Sequence, residues 1–311
     1  MRNSIVTIIL AATLACLIPS CDIKKEESGS THGAAQIAVD ESVKMIIDQE
    51  VQVFEFTYPN ASILPHYVSE AEAIDSLISS DMKLIIIPHE LSEKQVEYIR
   101  QTKGTCKTQR IAVDAIALIV NPANALDSIS VEQLADILAG RKALWNQIGG
   151  QSPDSVNVIF DYASSSTAKY MRDTLLAGGK FLSERVFAQN SVPEVIAGVE
   201  NSTTAIGVVS ATWLRADMAG SAGKKGNVKV LKVYHDGDAR AFKPYQEYIY
   251  TAEYPLYRSV YAIAATSGSN VAHGFYSFLT GPVGQKLILQ TGILPSVIHP
   301  RAVELTTHPA E

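Results

Sequence analysis

Arg110-Ile111-Ala112-Val113-Asp114-Ala115-Ile116-Ala117-Leu118-Ile119-Val120-Asn121-Pro122 is the stretch whose reading decides the fold. It is apolar on both alternating faces, as in a strand covered on each side, and a proline closes it. Strands of one small lobe usually run to about five or six residues. This one is too long for that, and it reads as a segment crossing from one lobe to another. A second long apolar run, Tyr254-Pro255-Leu256-Tyr257-Arg258-Ser259-Val260-Tyr261-Ala262-Ile263-Ala264, crosses back. Two crossings imply two lobes, a hinge of few residues and a cleft where small ligands bind.

On either side of the crossings, strands alternate with helices. Ile37-Ala38-Val39 reads as a buried strand followed by a helix over residues 42–52, and Lys83-Leu84-Ile85-Ile86-Ile87 as another strand. Ser69-Glu70-Ala71-Glu72, Ser92-Glu93-Lys94-Gln95 and Ser130-Val131-Glu132-Gln133 are capping boxes, each opening a helix. The third helix ends at Gly140, a good left-handed terminator. Asn190-Ser191-Val192-Pro193-Glu194-Val195 repeats the capping logic before the strand Ala205-Ile206-Gly207-Val208-Val209. Ser269 is expected to cap a helix reaching Leu279, Gly281-Pro282 to stop it, and residues 283–290 to form a last helix. Such alternation predicts an α/β architecture in which each lobe is a mixed, mainly parallel sheet flanked by helices. Ligands of such sheets lie beyond the carboxyl ends of the strands.

The ends of the chain speak to compartment. Residues 5–18 are apolar but too short to span a bilayer, and they run into Leu17-Ile18-Pro19-Ser20-Cys21. This resembles the signal peptide and lipobox of bacterial lipoproteins, which implies cleavage before Cys21 and lipid on its sulfur. Residues 21–35 are polar and read as a tether. The soluble domain is then held at a bacterial membrane by lipid alone, periplasmic or surface-exposed. Beyond Cys21 only Cys106 remains, so neither an intramolecular disulfide nor a cysteine-rich metal site is available. The formal charge of −6 argues against nucleic acid. Residues 216–227 are rich in Gly, Ala and Lys and read as a mobile loop.

Chemistry concentrates at Ser164-Ser165-Ser166-Thr167, between a strand over residues 156–160 and a helix over 168–177. Unpaired amides at a helix start accept an anion, and hydroxyls add donors that rotate to suit it. Asp161, however, brings an acid to the same turn. Asp114 is expected to satisfy backbone at the crossing, and Trp145 and Trp213 to fill the core of the second lobe. The histidines show no metal-ligand spacing, and no nucleophile elbow, Walker loop or zincin helix occurs. The expectation is a binding protein, with neither catalytic residues nor cofactor.

The crossing segment, extended through Ala123-Asn124, resembles that of phosphate ABC-transporter substrate-binding proteins (PstS-like, type II periplasmic binding proteins). Further segments agree in order: Leu134-Ala135-Asp136-Ile137-Leu138-Ala139-Gly140 with Trp145, Ser164-Ser165-Ser166-Thr167, and Phe278-Leu279-Thr280-Gly281-Pro282-Val283-Gly284-Gln285-Lys286 with Gly292 and Pro295. The resemblance implies a signal peptide over 1–20, lobe 1 over 36–113 and 257–311, and lobe 2 over 114–256. It also implies phosphate or a related oxyanion as ligand, an ABC importer permease as partner, and a monomer.

Family members hold phosphate through an opening loop, a helix cap, a loop after a second strand and an Arg-x-x-Gly-Ser-Gly-Thr segment. The corresponding places here are Asp40-Glu41-Ser42, Ser69, Pro88-His89-Glu90 and Asp161-Tyr162-Ala163-Ser164-Ser165-Ser166-Thr167. Asp161 replaces the arginine, removing a bidentate donor and adding a repelling charge. Compensation by Lys169, Arg172 or His89, with Asp161 or Asp40 accepting the hydrogen of a protonated phosphate, stands against the plainer and favoured reading that Lys169 and Arg172 sit on a solvated helix face and Asp161 caps the turn. The alternatives are a different solute, for which Asp161 favours an amine or hydroxyl, or a surface lipoprotein with an adhesive or assembly role on the same fold.

Overall fold

The structure, a computed structural model, describes residues 29–162, 164–214, 227–266 and 268–298. Cys21, most of the tether and nearly all of the 216–227 segment lie outside them, as does Ala163.

The first half of the sheet is built from β1 (Gly33–Asp40), β2 (Ala61–Val68) and β3 (Leu84–Ile87). β1 lies between the other two and runs parallel to both. α1 (Lys44–Thr57), α2 (Glu70–Ser79) and α3 (Glu93–Lys103) connect and cover them. Both predicted caps form: Ser69 accepts from the Glu72 amide, and Ser92 from that of Gln95. α1 begins two residues later than the sequence suggests. The Asp40 carboxylate accepts from the Ser42 amide at 3.0 Å, which closes a short 3₁₀ turn over Glu41–Val43 before the helix can start.

β4 (Lys107–Val120) is the predicted crossing strand. Up to Ala115 it pairs antiparallel with the return strand, and from Ile116 it pairs antiparallel with a strand of the second half. That half adds β5 (Ser128–Ser130), α4 (Val131–Leu138), β6 (Asn157–Phe160), α5 (Ser166–Leu175), β7 (Val186–Ala188), α6 (Val192–Glu200), β8 (Ala205–Ser210), β9 (Lys229–Val230), β10 (Lys232–Tyr234) and α7 (Gln246–Tyr250). β6 is parallel to both β7 and β8. Gly207 of β8 lets α6 approach, since an added Cβ would sit 2.8 Å from both Val199 and Ile119 side-chain atoms.

The return strand is β11 (Tyr257–Ala264), three residues shorter at its start than the apolar run. Tyr254 and Leu256 pack instead in the core of the second half, and the Leu256 carbonyl accepts from the Ile116 amide at 2.8 Å. The chain is then completed by α8 (Val271–Thr280), α9 (Pro282–Gln290) and β12 (Leu294–Pro295). Asn270, not Ser269, caps α8, its side chain accepting from the His273 amide at 3.1 Å. The sheet order is β2-β1-β3-β11-β4-β8-β6-β7. It is mixed: parallel within each half, antiparallel across the two crossing strands.

Each half has its own packing. Ile37, Ile47, Phe54, Leu84 and Phe275 fill one face of the first half, while Leu77, Ile85, Ile87 and Ile99 fill the other. In the second half Leu118, Leu134, Trp145, Phe160 and Met171 pack on one face, and Ile119, Val195 and Val209 on the other. Fully burying each such aliphatic or aromatic side chain is worth about 1.5–3 kcal/mol. The two halves therefore carry separate apolar stabilisation, with polar side chains gathered where they meet.

Candidate functional site

Three sequence-distant places converge at this junction. β1 ends in Asp40, which is 1% exposed, with Ser42 buried two residues on. β6 runs into Asp161 and then the start of α5, where Ser165, Ser166 and Thr167 are all buried. Ser165 caps that helix by accepting from the Ala168 amide at 3.1 Å, so α5 begins at Ser166, two residues ahead of the expected start. The third contributor is Arg258 on β11, which stands in register opposite Asp114 on β4.

Arg258 organises the cluster. Its Nη2 donates to Ser42 Oγ at 2.7 Å, its Nη1 to Ser166 Oγ at 3.0 Å, and it pairs with Asp114 Oδ2 at 3.3 Å. Asp40 Oδ1 accepts from the Ser42 amide, from the Ser42 hydroxyl and, at 2.8 Å, from the Ser166 hydroxyl. Ser210 donates to Asp114 Oδ1 at 2.8 Å, and Trp213 Nε1 donates to the Ser42 carbonyl at 3.2 Å. Asp114 thus adds a side-chain ion pair to the expected backbone role, which it fills at the Ala115 amide. Trp213, half-buried against the second core, also reaches across to the first half.

Several acceptors remain open. Asp40 Oδ2, both carboxylate oxygens of Asp161 and the Thr167 hydroxyl are buried without a hydrogen-bond partner. Burial is the main influence on the carboxyls: it raises Asp40 and Asp114 above the usual range against the pull of Arg258, and brings Asp161 to about 6. The Ser165 hydroxyl lowers Asp161 somewhat without giving either oxygen a hydrogen bond, while the Asp40 charge pushes it further up. Tyr162, raised first by burial and then by Asp40, Glu41 and Asp161, closes this side of the cluster and bonds to Glu41.

The other predicted site residues lie around this cluster. The Ser69 hydroxyl is spent on its capping box, and Ser164 is exposed in the turn before α5. His89 Nδ1 pairs with Glu70, and Lys169 reaches Glu70 at 3.9 Å and Asp173 at 2.9 Å. The Arg172 guanidinium lies over the Phe181 ring at 5.5 Å. Arg258, which was not among the cations expected here, bonds to the serine run through Ser166, while Lys169 and His89 pair with Glu70. A single arginine inside the apolar run 257–264, facing the single acid of the 111–120 run, was the available signal. Among the described residues no group of His, Cys, Asp and Glu is arranged to hold a metal ion.

Two α/β halves joined by a shared strand and a return crossing, with buried polar groups at the junction, define a bilobal binding protein. The chain belongs to the PBP superfamily, whose domain model matches residues 24–283. It is 23% identical over 297 residues to the phosphate-binding protein PstS of Borreliella burgdorferi, covering 94% of this chain and 99% of that one. It is 24% identical over 187 residues to the PstS of Bacillus subtilis, covering 60% of this chain and 56% of the relative. A Clostridium perfringens structure with bound phosphate, described as a phosphate ABC-transporter substrate-binding protein, superposes with a TM-score of 0.70 at 18% identity. That match covers 85% of this chain and all of the other. An ABC-type phosphate transport receptor from Vibrio cholerae gives 0.64 at 22% identity, with 85% and 100% coverage.

Proposed function

We propose that this chain is a lipid-anchored solute-binding protein that captures phosphate between its lobes and delivers it to an ABC importer. The carrying observation is the meeting of the Arg258 guanidinium, the Ser42 and Ser166 hydroxyls and the start of α5 at one buried junction. Guanidinium, hydroxyls and helix-start amides are the donors that a small oxyanion needs. The naming of the full-length relatives as phosphate-binding proteins supports the same ligand.

In this reading lobe 1 comprises residues 36–113 and 257–311 and lobe 2 residues 114–256. Ser42, Asp161, Ser166 and Thr167 contact the solute, joined by Asp40 and Arg258. Ser165 fixes the start of α5, Glu41 fixes Tyr162, and Glu70 with His89 and Lys169 forms a polar link beside the cleft. The protein binds and does not catalyse. No helix among the described residues is long and apolar enough to cross a membrane, and lipid on Cys21 supplies the attachment. A Cys21→Ala chain is expected in the soluble fraction where the native chain sediments with membranes.

Titration of the purified soluble domain with phosphate, read by calorimetry and thermal unfolding, tests the function. Ligand at a hundredfold over Kd stabilises by about 2.7 kcal/mol, which raises Tm by several degrees. The absence of both binding heat and a shift in Tm at millimolar phosphate would remove the assignment. The unpartnered Asp161 favours a second reading, a hydroxyl- or amine-bearing solute, which the same assay with organic phosphonates and amines discriminates.

A further inference from the structure

Resting on the lipid-anchor reading of Cys21, we infer that the end of the first half farthest from the cleft lies on the bilayer that holds the anchor, with Phe56 and Val283 entering its surface. The tether arrives at a fixed point. Residues 29–32 form a turn in which the Gly29 amide donates to the His32 carbonyl at 3.0 Å. The turn is pressed onto α8, since an added Cβ at Gly274 would overlap the Ser30 carbonyl. β1 then begins at Gly33, inside the stretch that reads as tether, and its first amide donates to the Asn60 carbonyl at 2.8 Å. From Gly33 the strand runs to Asp40, roughly 23 Å away at about 3.3 Å per residue. Anchor attachment and solute cluster therefore sit at opposite ends of the first half.

Apolar surface gathers at the anchored end. The end of α1, the 30–31 turn and the start of α9 enclose a cavity of about 410 Å³ lined by Phe54, Tyr58, Phe278, Pro282 and Val283. Val283, at the start of α9, is 54% exposed. Phe56, in the last turn of α1, is 87% exposed, the most of any large apolar side chain among the described residues. Glu55, the acid beside it, is turned onto β2, where it accepts from the Ser62 hydroxyl at 3.1 Å and the Ile63 amide at 2.8 Å. The end thus presents apolar side chains without that carboxylate among them.

Scattered apolar side chains on a surface ordinarily need no partner. Here the anchor decides. Fully extended, the eight residues 21–28 reach about 26–29 Å, so lipid on Cys21 keeps this end within that distance of the bilayer. A flexible tether that short gives the two an effective concentration in the millimolar range, at which a contact too weak to recruit free protein is populated. Phe56 and Val283 supply that contact by burying apolar area at the boundary of headgroups and acyl chains. The solute cluster is then held away from the bilayer, towards the bulk solution.

The test uses the lipidated chain in vesicles of phosphatidylethanolamine with phosphatidylglycerol, some of the lipid carrying a spin-label quencher at the headgroup boundary. A bimane probe is attached at Val283→Cys or, on the second half, at Asp127→Cys, a position 79% exposed. Cys106 is buried and stays unlabelled. Quenching at position 283 is expected to exceed that at 127 several-fold, and Phe56→Ser should lower it about twofold without changing phosphate affinity. The soluble Cys21→Ala chain should show no quenching at either position. Equal quenching at both positions, or none at either in a chain that sediments with the vesicles, overturns this inference and leaves the anchor intact. A probe at 283 that is shielded from aqueous iodide but not reached by the lipid label also overturns it, in favour of a second copy of the chain on this face. A native chain that stays in solution when the vesicles are sedimented overturns the anchor and the inference together. Should Val283→Cys fail to fold, a probe at Phe56→Cys gives the same comparison.

Discussion

Arg258 and Asp114 form a fully buried ion pair inside two otherwise apolar strands, and such a pair is stable only as long as both members are present. Taking either charge out of water costs several kcal/mol, which the partner and the surrounding hydroxyls offset. Arg258→Met leaves Asp114 and Asp40 without a counter-charge and is expected to destabilise the domain by about 3–5 kcal/mol in urea unfolding. The double variant Arg258→Met/Asp114→Leu should recover most of that loss, since it buries no unpaired charge. A double variant no more stable than the single would show that the pair is not the reason for the cost. Arg258→Lys keeps the charge but not the fork that reaches Ser42 and Ser166 together, so it should weaken phosphate binding more than folding. The pair was present in the sequence as the single acid of one crossing run and the single arginine of the other. What the sequence lacked was register: nothing in either run places residue 258 opposite residue 114 until the strands are paired. The hydroxyl run and Asp161 were legible because they follow one another in a single turn, whereas Arg258 joins them from nearly a hundred residues away.

At the scale of elements, α1 carries an acid on its apolar stripe. Ile46, Ile47, Val51 and Phe54 face the core at helical spacing, and Glu50 lies among them at 0% exposure with neither carboxyl oxygen hydrogen-bonded. Burial lifts Glu50 to about 9 from an ordinary 4.5. The folded protein therefore holds a proton that the unfolded chain releases, so the contribution of Glu50 to stability is greatest below about 4.5, falls as pH rises, and levels off above about 9. The slope is at most about 1.4 kcal/mol per pH unit. Glu50→Gln removes the titrating group, so in thermal unfolding its advantage over the native chain should widen from pH 5 to pH 9. A constant difference across that series would mean that Glu50 does not titrate in this window. The helix was readable from its spacing, but the burial of Glu50 was not, because a glutamate on a stripe ordinarily reaches for solvent. β2 gives a weak signal in the sequence for a related reason: Pro65 removes a donor and argues against a central strand. It is tolerated because β2 pairs only with β1 and is an edge.

For the whole molecule, apolar packing holds each half together and polar contacts hold the halves to each other. Ser42 and Asp40 meet Ser166 and Arg258 at the junction, Lys169 reaches Glu70, and Trp213 Nε1 donates to the Ser42 carbonyl. Each such hydrogen bond contributes about 0.5–1.5 kcal/mol net, far less than the cores, so separation of the halves is the low-cost motion of this fold. A solute that bonds to both sides shifts the balance towards closure by its differential affinity for the closed state. The two tryptophans make this measurable. Trp145 is buried within the second core, whereas Trp213 touches the first half through Ser42. In a Trp145→Phe protein, phosphate is expected to change the emission of Trp213 as its indole is drawn against the Ser42 carbonyl and away from water. In Trp213→Phe the remaining Trp145 emission should stay constant over the same titration. Equal responses from both variants would mean that the solute perturbs the second half as a whole, and that closure about the crossing strands is not what phosphate drives.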